Sequence, residues 1–395
     1  MSKEFNQTGS LHLNESLLYT GGAEGYILDL AKSLQKQNIS ICLATGQSES
    51  MELPKVSYVI PGIQERQNKQ DLYNNVGLIK QIMEENNLDV VHLHSIDNPE
   101  LYSELSNTFP IIRTIHDSRV VCPTEFRIDN SQNICTSSID SNCLNCSENK
   151  ISIDQFNNSK ESLEALESLD LLITPSKYMK NQLITNGIQK NKIEVVPLFA
   201  PLDLNPQPIV DINHTSDILF IGRIIKSKGL RQAIDSFSKM DHKYNFVVCG
   251  DGPDLDTCRS MATDLGISDR IKFVGWTNKK EKEMYLAGTK VIVFPSMSPE
   301  SFGLVGLEAM FYQKPVVAFN SGGINQWLKN EENGFLIERG NTDQMAEYLI
   351  KILVSKSLRN EMGTKGKIIL DTEFSLEKHI SGLMEIYSRV KKQKY

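Results

Sequence analysis

Short apolar segments alternate with helical patterns along this 395-residue chain, and the alternation constrains the fold more than any other feature. The first helical pattern spans residues 23–37, where Ile27, Leu30 and Leu34 share one face. In the same half of the chain, apolar runs predict strands at 39–44, 90–93, 111–115 and 171–174, with a weaker one at 10–13. Strands that alternate with helices form βαβ units, so we predict a parallel sheet.

A proline-rich segment interrupts the alternation, which then starts again. Prolines 197, 201, 206 and 208 indicate a linker, and we place the domain boundary near residue 205. Beyond it, apolar runs predict strands at 218–221, 246–249, 271–274, 291–294 and 315–319, and residues 376–390 form a long amphipathic helical pattern. A chain of this length exceeds what one hydrophobic core usually supports, so we predict two α/β domains.

Composition and charge exclude several functions. The net charge of −7 argues against nucleic acid as a partner, because nucleic-acid binding needs a basic surface. The N-terminal sequence has no apolar signal-peptide core, and no apolar run approaches the roughly 18 residues that span a bilayer. We therefore expect a cytoplasmic protein. Peripheral contact with the cytoplasmic face of a membrane stays open through the basic tail at 389–394, although a solvated helix end is the favoured interpretation.

Two carboxylates flank a glycine turn that follows the predicted strand 291–294. Glu300 and Glu308 lie on either side of Phe302-Gly303, and a helical pattern follows. A helix N-terminus offers unpaired N–H groups and a partial positive charge. Two acids beside an anion-binding turn indicate a ligand with both hydroxyls and phosphates, which describes a nucleotide sugar.

Two cations follow the predicted strand 218–221. Arg223 comes directly after Gly222, and Lys228 lies five positions further on. Arginine binds phosphate through two parallel hydrogen bonds and lysine acts as a point charge, so the pair suits a diphosphate. The alternative is a pair of ordinary surface cations near a loop.

Two further elements have both a functional and a structural interpretation. Gly21-Gly22 precede the first helix, where glycine lets the backbone approach a ligand, although for this short motif alone an ordinary turn is the favoured interpretation. His116 follows the predicted strand 111–115, at the end of a parallel strand where ligands bind. By itself it is as consistent with a loop histidine as with a sugar ligand. His92 and His94 are expected to serve structure or to line the cleft.

Taken together, these motifs resemble the retaining glycosyltransferases of family 4 (group 1). That family has the GT-B fold, in which two Rossmann-like domains face each other across a cleft. The resemblance implies that Glu308 binds the ribose hydroxyls of a nucleotide-sugar donor, and that Glu300 and His116 act at the transferred sugar. It also implies that further residues contact the donor, namely Gly22, Arg223, Lys228, Phe302, Gly303 and Leu304.

The resemblance also implies a division of labour between domains. Residues 1–205 would form the acceptor domain, with a cysteine-rich insertion at 122–146, and 206–375 the donor domain, while 376–395 would form a helix that packs back on the first domain. The reaction would move a sugar from a UDP- or GDP-type donor to a glycan, lipid-linked or small-molecule acceptor, in polysaccharide or cell-envelope glycan synthesis. No catalytic metal is expected, because no Asp-x-Asp motif occurs in a suitable place.

Two other functions stay open at this stage. A nucleotide-sugar epimerase on the same fold would act on the donor without an acceptor. A non-catalytic partner in a glycan assembly complex would bind the donor without catalysing any reaction of it. The presence of His116, Arg223, Lys228 and Glu308 together favours an active transferase.

The cysteine-rich insertion indicates a metal. Cys143 and Cys146 form a Cys-x2-Cys pair, and Cys122 and Cys135 precede it. This set suits tetrahedral zinc, and disulfides are rare in the cytosol. Such a zinc would be structural, because four thiolates leave no open position. Four unrelated loop cysteines are equally compatible with the spacing. We expect the remaining cysteines, at 42, 249 and 258, to be buried or without a special role.

Overall fold

The computed structural model describes residues 8–17, 22–47, 57–64, 66, 68–146, 150–201 and 204–394. The chain forms two compact units, one made of Met1–Leu198 together with Leu376–Tyr395, the other of Phe199–Ser375. The division falls after Leu198, a few residues before the predicted boundary near 205.

The first unit is a parallel sheet with helices. Its strands, in the order β3-β2-β1-β4-β5-β6-β7 across the sheet, are β1 Ser10–Ser16, β2 Ile41–Gln47, β3 Ser57–Val59, β4 Val90–Leu93, β5 Ile111–Thr114, β6 Leu171–Thr174 and β7 Ile193–Val195. Its helices are α1 Gly22–Lys36, α2 Lys69–Glu85, α3 Pro99–Ser106, α4 Ile153–Ala165, α5 Lys177–Thr185 and α12 Leu376–Lys394. The weak strand predicted at 10–13 is three residues longer than expected, and α12 is four residues longer.

The second unit repeats the same architecture. Its strands, in the order β10-β9-β8-β11-β12-β13, are β8 Ser216–Ile221, β9 Phe246–Cys249, β10 Ile271–Gly275, β11 Thr289–Phe294, β12 Val316–Phe319 and β13 Gly334–Ile337. Its helices are α6 Leu230–Ser238, α7 Leu255–Asp264, α8 Lys279–Gly288, α9 Leu304–Phe311, α10 Thr342–Val354 and α11 Lys356–Glu373. All recorded pairings in both sheets are parallel.

Each sheet reverses its strand order at one place. In the first unit the reversal lies between β1 and β4, which are neighbours although β2 and β3 come between them in the chain. In the second unit it lies between β8 and β11. The loops that follow two such neighbouring strands run in opposite directions. They leave a crevice at the carboxyl ends of the strands, and open α/β sheets bind ligands there.

The last helix belongs to the first unit, where α12 packs against β4. Its apolar face is buried through Ile380, Leu383 and Val390. Polar groups are buried there as well: the Tyr387 hydroxyl is hydrogen-bonded to Nδ1 of His92 at 2.6 Å and to Nε2 of His12 at 3.1 Å. Because β4 and β1 flank the reversal, α12 is attached to the sheet beside its ligand-binding edge.

His379 makes a second polar attachment. Its Nδ1 donates to the carbonyl of Pro197 at 2.7 Å, and its Nε2 lies 2.9 Å from the Tyr26 hydroxyl on α1. Since a carbonyl can only accept, the neutral ring carries its proton on Nδ1 and accepts from tyrosine through Nε2. Burial lowers the pKa of His379 to about 4 and that of His12 to about 3. Both rings are therefore neutral in the folded protein at pH 7.

None of the described helices is long and apolar enough to cross a bilayer.

The buried histidines predict that the first unit loses stability as pH falls. In the unfolded chain a histidine titrates near 6.5, so between pH 6.5 and about 4 the unfolded state binds protons that the folded state excludes. The full free energy of unfolding is present above about pH 6.5. At pH 5 each such histidine is expected to have lowered it by about 2 kcal/mol. The measurement is hydrogen exchange of α12 amides in urea at pH 7.5, 6.5, 5.5 and 5.0, corrected for intrinsic exchange rates.

An internal control is available in the same samples. Both tryptophans, Trp276 and Trp327, lie in the second unit, so their fluorescence follows that unit alone. The variant His379→Leu should show a shallower loss with pH in α12, whereas His242→Gln, at an exposed position, should not. Equal pH sensitivity in both units would contradict the interpretation.

Candidate functional site

The carboxyl ends of β8 and β11 bring a cation and an anion together. Lys228 lies in the turn between β8 and α6, and Glu300 lies in the loop between β11 and α9. Their charged groups form an ion pair at 2.7 Å between Nζ and Oε1, with the lysine side chain 29% and the glutamate side chain 13% exposed. The structure thus joins two residues that the sequence placed 72 positions apart, at the reversal of strand order in this sheet.

The close approach of these two loops depends on a glycine. Gly229 has a φ of 73°, and a Cβ added to it would lie 1.8 Å from the carbonyl oxygen of Pro295. Ser227, two residues earlier, accepts hydrogen bonds through its carbonyl from the backbone N–H groups of Met297 and Ser298. The Lys228 turn is therefore fixed to the Glu300 loop by backbone contacts, independently of the ion pair.

Glu300 is held by its backbone as well as by its carboxylate. Its N–H donates to the carbonyl of Ser321 and its carbonyl accepts from Gly323, in an isolated bridge beside β12. The Ser296 hydroxyl donates to the same carboxylate oxygen that Lys228 contacts. Two buried hydroxyls of these loops, those of Ser298 and Ser321, have no hydrogen-bond partner among the described residues.

The glycine turn leads into α9 with its N-terminus uncapped. Gly303 occupies the N-cap position with φ 96°, and no side chain caps the helix. The indole Nε1 of Trp327 donates to the carbonyl of Phe302 at 2.6 Å, and a Cβ added to Gly306 would lie 2.3 Å from the indole ring. Tryptophan thereby fixes the turn, and the first N–H groups of α9, including that of Leu304, are left for an anion.

The second carboxylate of the motif lies deeper. Glu308 is 3% exposed on α9 and forms an ion pair with Lys282 of α8, with 2.6 Å between Nζ and Oε1. No motif in the sequence indicates a role for this lysine. A buried carboxylate needs such a partner, because an unpaired charge is costly out of water. The ion pair with Lys282 orients Glu308 and occupies one of its two carboxylate oxygens, Oε1.

The two remaining predicted donor ligands are exposed. Arg223 follows β8, and no carboxylate within the described residues forms an ion pair with it. Its guanidinium is therefore accessible at the same end of β8 as Lys228. Gly22 is the first residue of α1, in the first unit, and Gly21 lies outside the described residues.

A cavity of about 90 Å³ lies in the first unit at the end of β5 and is bordered by His116. Other residues of its wall include Glu15, His94, Asp97, Thr114, Asp117 and Arg119. Asp117 caps the following turn by accepting from the N–H of Arg119, and also binds its guanidinium. Although burial raises the pKa of Asp117, these hydrogen bonds hold it below its ordinary value. Asp117 therefore serves as the cap of this turn.

His116 is linked to buried histidines behind the cavity. Its Nε2 lies 3.0 Å from Nδ1 of His94, and Nε2 of His94 lies 2.9 Å from Nδ1 of His12. Burial lowers the pKa of His116 to about 4 and that of His94 well below its ordinary value, so both rings are neutral at pH 7. The described residues give Nδ1 of His116 no hydrogen-bond partner, which leaves this nitrogen for a ligand.

The cysteine-rich insertion forms a small loop structure. Ile128 and Ile134 form an antiparallel bridge, and Cys143 begins the turn that ends at Cys146. Burial raises the pKa of the Cys143 thiol, and the neighbouring Cys122 and Cys135 raise it further, so these thiols share one environment. Among described residues, the group whose ligand atoms all lie within 4.8 Å is His12, His92 and His94; the four cysteines do not converge to that degree. The cysteines at 42, 249 and 258 are buried.

Two family models match consecutive segments of the chain. The model for Glycosyltransferase Family 4 matches residues 20–204, and the model for Glycosyl transferases group 1 matches residues 208–368. Together the two matches span most of both units.

Known relatives are glycosyltransferases as well. An uncharacterized glycosyltransferase of Methanocaldococcus jannaschii is 25% identical over 375 residues, which cover 94% of this chain and 95% of the relative. The lipopolysaccharide core biosynthesis glycosyltransferase LpsE of Rhizobium meliloti is 31% identical over 160 residues, which cover 40% of this chain and 46% of LpsE.

Solved structures agree in fold. The crystal structure of HepE from Anabaena in complex with UDP aligns with a TM-score of 0.75 at 18% identity, covering 97% of this chain and 100% of HepE. The two parallel sheets are those of the GT-B fold. The chain is a glycosyltransferase, and it belongs to family 4, the group 1 glycosyltransferases with the GT-B fold.

Proposed function

We propose that the protein transfers a sugar from a nucleoside-diphosphate sugar to an acceptor hydroxyl with retention of configuration. One observation carries the proposal: the Lys228–Glu300 pair lies beside the uncapped N-terminus of α9, at the strand-order reversal of the second unit. This combination offers positive charge for a diphosphate and a carboxylate for sugar hydroxyls within one small region.

Each residue has a role that its surroundings support. Arg223, Lys228 and the first N–H groups of α9 bind the diphosphate and stabilise the charge that develops as the glycosidic bond breaks. Glu308, already oriented by Lys282, accepts hydrogen bonds from the ribose hydroxyls.

Two residues act at the sugar in this proposal. Glu300 accepts hydrogen bonds from hydroxyls of the transferred sugar, and its contacts with Ser296 and Lys228 hold the carboxylate in place. His116 hydrogen-bonds a sugar hydroxyl through its available Nδ1. The acceptor attacks the face that the diphosphate leaves, and the leaving phosphate takes the hydroxyl proton, as the family resemblance implies.

The relatives favour a UDP- or GDP-type donor and a glycan product. HepE was solved with UDP, and LpsE acts in lipopolysaccharide core biosynthesis. We propose polysaccharide or cell-envelope glycan synthesis for this chain on that basis. An epimerase would convert the donor without an acceptor, and a non-catalytic partner would bind it unchanged, so donor turnover separates the three functions.

We further propose a structural zinc ion held by Cys122, Cys135, Cys143 and Cys146. The donor set fits the metal, because Cys122 and Cys135 lie close enough to the Cys-x2-Cys pair to affect it. Burial and the neighbouring thiols raise the pKa of Cys143, and they raise that of Cys146 to about 11. A raised pKa means that the thiolate form is disfavoured by burial and by repulsion from neighbouring thiolates. A bound zinc ion would compensate both effects, because it attracts the sulfur atoms and stabilises them as thiolates. Zinc would fix the loop and supply no chemistry to the transfer.

The donor site predicts a specific loss of affinity. Lys228→Gln removes a charge-assisted contact with the diphosphate, and Glu308→Gln weakens the ribose contact. Each is expected to weaken donor binding about 10- to 100-fold, equivalent to the roughly 1.5–3 kcal/mol of a charged hydrogen bond. The measurement is calorimetric titration with UDP- and GDP-sugars, followed by slow donor hydrolysis and by transfer to candidate acceptors.

Lys226→Gln is the matched control, since Lys226 is exposed in the same turn. It should bind the donor as the wild type does. Equal affinity in Lys228→Gln and wild type would refute the assignment of the diphosphate site, and conversion of the donor sugar into its epimer would replace transfer by epimerisation.

The zinc proposal predicts one equivalent of metal per chain. Purified protein is analysed by plasma mass spectrometry after dialysis against a weak chelator. The double variant Cys143→Ser/Cys146→Ser should lose the metal, whereas Cys258→Ala, a buried thiol of the second unit, should keep it. Metal-free wild type protein, or metal retained in the double variant, would contradict the proposal.

A further inference from the structure

The buried histidines of the first unit form a continuous hydrogen-bonded chain. It begins at His116, passes through His94 to His12, and ends where Nε2 of His12 meets the hydroxyls of Ser10 and Tyr387, each at 3.1 Å. The rings of His94 and His116 are stacked at 5.2 Å between centroids, and those of His12 and His94 at 5.1 Å. His12 and His94 are each 1% exposed, so water does not compete for these bonds.

The position of the chain follows from the topology. His12 lies on β1 and its register partner is His92 on β4, the two strands that flank the reversal of strand order. His94 comes just after β4, and His116 comes just after β5. The chain therefore runs from the ligand-binding edge of the sheet into its interior.

A metal is a less suitable explanation for the same cluster. The three buried imidazoles do present ligand atoms within 4.8 Å of one another. However, all six of their ring nitrogens already have hydrogen bonds, since His92 contacts Tyr387 through Nδ1 and Thr114 through Nε2. A nitrogen that binds a metal gives up its hydrogen bond, so metal binding would break most of this network.

Neutral imidazoles impose a rule on such a chain. Each ring has one N–H donor and one acceptor nitrogen. If His116 donates through Nε2, His94 must accept at Nδ1 and donate through Nε2, and His12 must do the same. If His116 instead carries its proton on Nδ1, all three bonds reverse. The terminal hydroxyls accept in one case and donate in the other, so both arrangements satisfy every member.

We propose that His94 and His12 are positioning residues for His116, and that the three rings share one tautomer at any time. The chain thereby sets whether Nδ1 of His116 presents a lone pair or a proton to the sugar hydroxyl. A mixed arrangement leaves two donors or two acceptors facing each other in the protein interior, which is costly. The positioning role of His94 and His12 rests on the proposed function of His116, whereas the shared tautomer of the three rings does not depend on that function.

Tautomers are observable directly by long-range ¹H–¹⁵N correlation in histidine-labelled protein at pH 7.5. The chain has seven histidines, and single Leu variants assign His12, His94 and His116. We expect these three rings to be neutral and to carry the proton on the same-named nitrogen, or to average between the two forms in equal proportion. One ring with the opposite tautomer, or a cationic ring, overturns the proposal.

The variant His12→Leu tests the coupling. It leaves Nε2 of His94 without a partner, and an orphaned buried N–H is less tolerated than an orphaned acceptor. His94 should therefore shift its proton to Nδ1, and His116 should follow into the Nδ1–H form. His12→Gln is the matched control, because an amide both donates and accepts and imposes no bias. An unchanged His116 spectrum in His12→Leu overturns the proposal, provided the melting temperature shows a folded protein.

Kinetics separate this proposal from the proposed function. With donor turnover as the readout, His12→Leu is expected to lower kcat about 10- to 100-fold at nearly constant KM for the donor, and His12→Gln to retain most activity. If His116→Ala leaves turnover unchanged, the function assigned to His116 fails while the tautomer result stands. Saturable zinc binding that is lost in His12→Leu and kept in Cys143→Ser/Cys146→Ser overturns the proposal in favour of a metal site.

Discussion

The reversal of strand order in each parallel sheet determines where polar side chains can gather in this protein. The strands are mostly buried, so most of their residues are apolar. At the reversal, adjacent connections diverge and leave a space that hydrophobic packing does not fill. Lys228 and Glu300 occupy that space in the second unit, and His12, His94 and His116 approach it in the first.

Much of the fold was predictable because its signals are local. Apolar runs located most strands, and Pro206 lies within a few residues of the observed division between units. Strands β3, β7 and β13 were missed, because β3 and β7 have three residues each and β13 has only four, the first of them a glycine. Such runs are too short for a recognisable pattern. Which strands pair with each other is not a local property and was not predicted. The fold class did not require it, because the alternation of strands and helices already implies a parallel sheet.

The sequence identified which residues belong to the candidate site, but it did not identify their hydrogen-bond and ion-pair partners. The spacing of Glu300 and Glu308 identified both carboxylates, but nothing local connects Glu308 to Lys282 or His92 to Tyr387, which is 295 positions away. One signal was available: His92 and His94 lie two residues apart at the end of a strand, where alternation places them on the same face, and two buried histidines require polar partners. That requirement predicts a network without naming its members.

The two polar clusters, the lysine–glutamate pairs of the second unit and the histidine chain of the first, differ in charge, and the difference has functional consequences. The second unit keeps charges, and it tolerates them because Glu300 and Glu308 are each paired with a lysine, Glu300 at a partly exposed position. In the proposed donor site a diphosphate would compete with Glu300 for Lys228, and the displaced carboxylate would keep its hydrogen bond from Ser296. The first unit also buries charge, at Arg113 and Arg127, but its histidine chain consists of neutral imidazoles, whose polarity is set by the position of a proton. Salt is therefore expected to weaken the ion pairs of the second unit more than the hydrogen bonds of the histidine chain, whereas acid acts on the chain by protonating its rings.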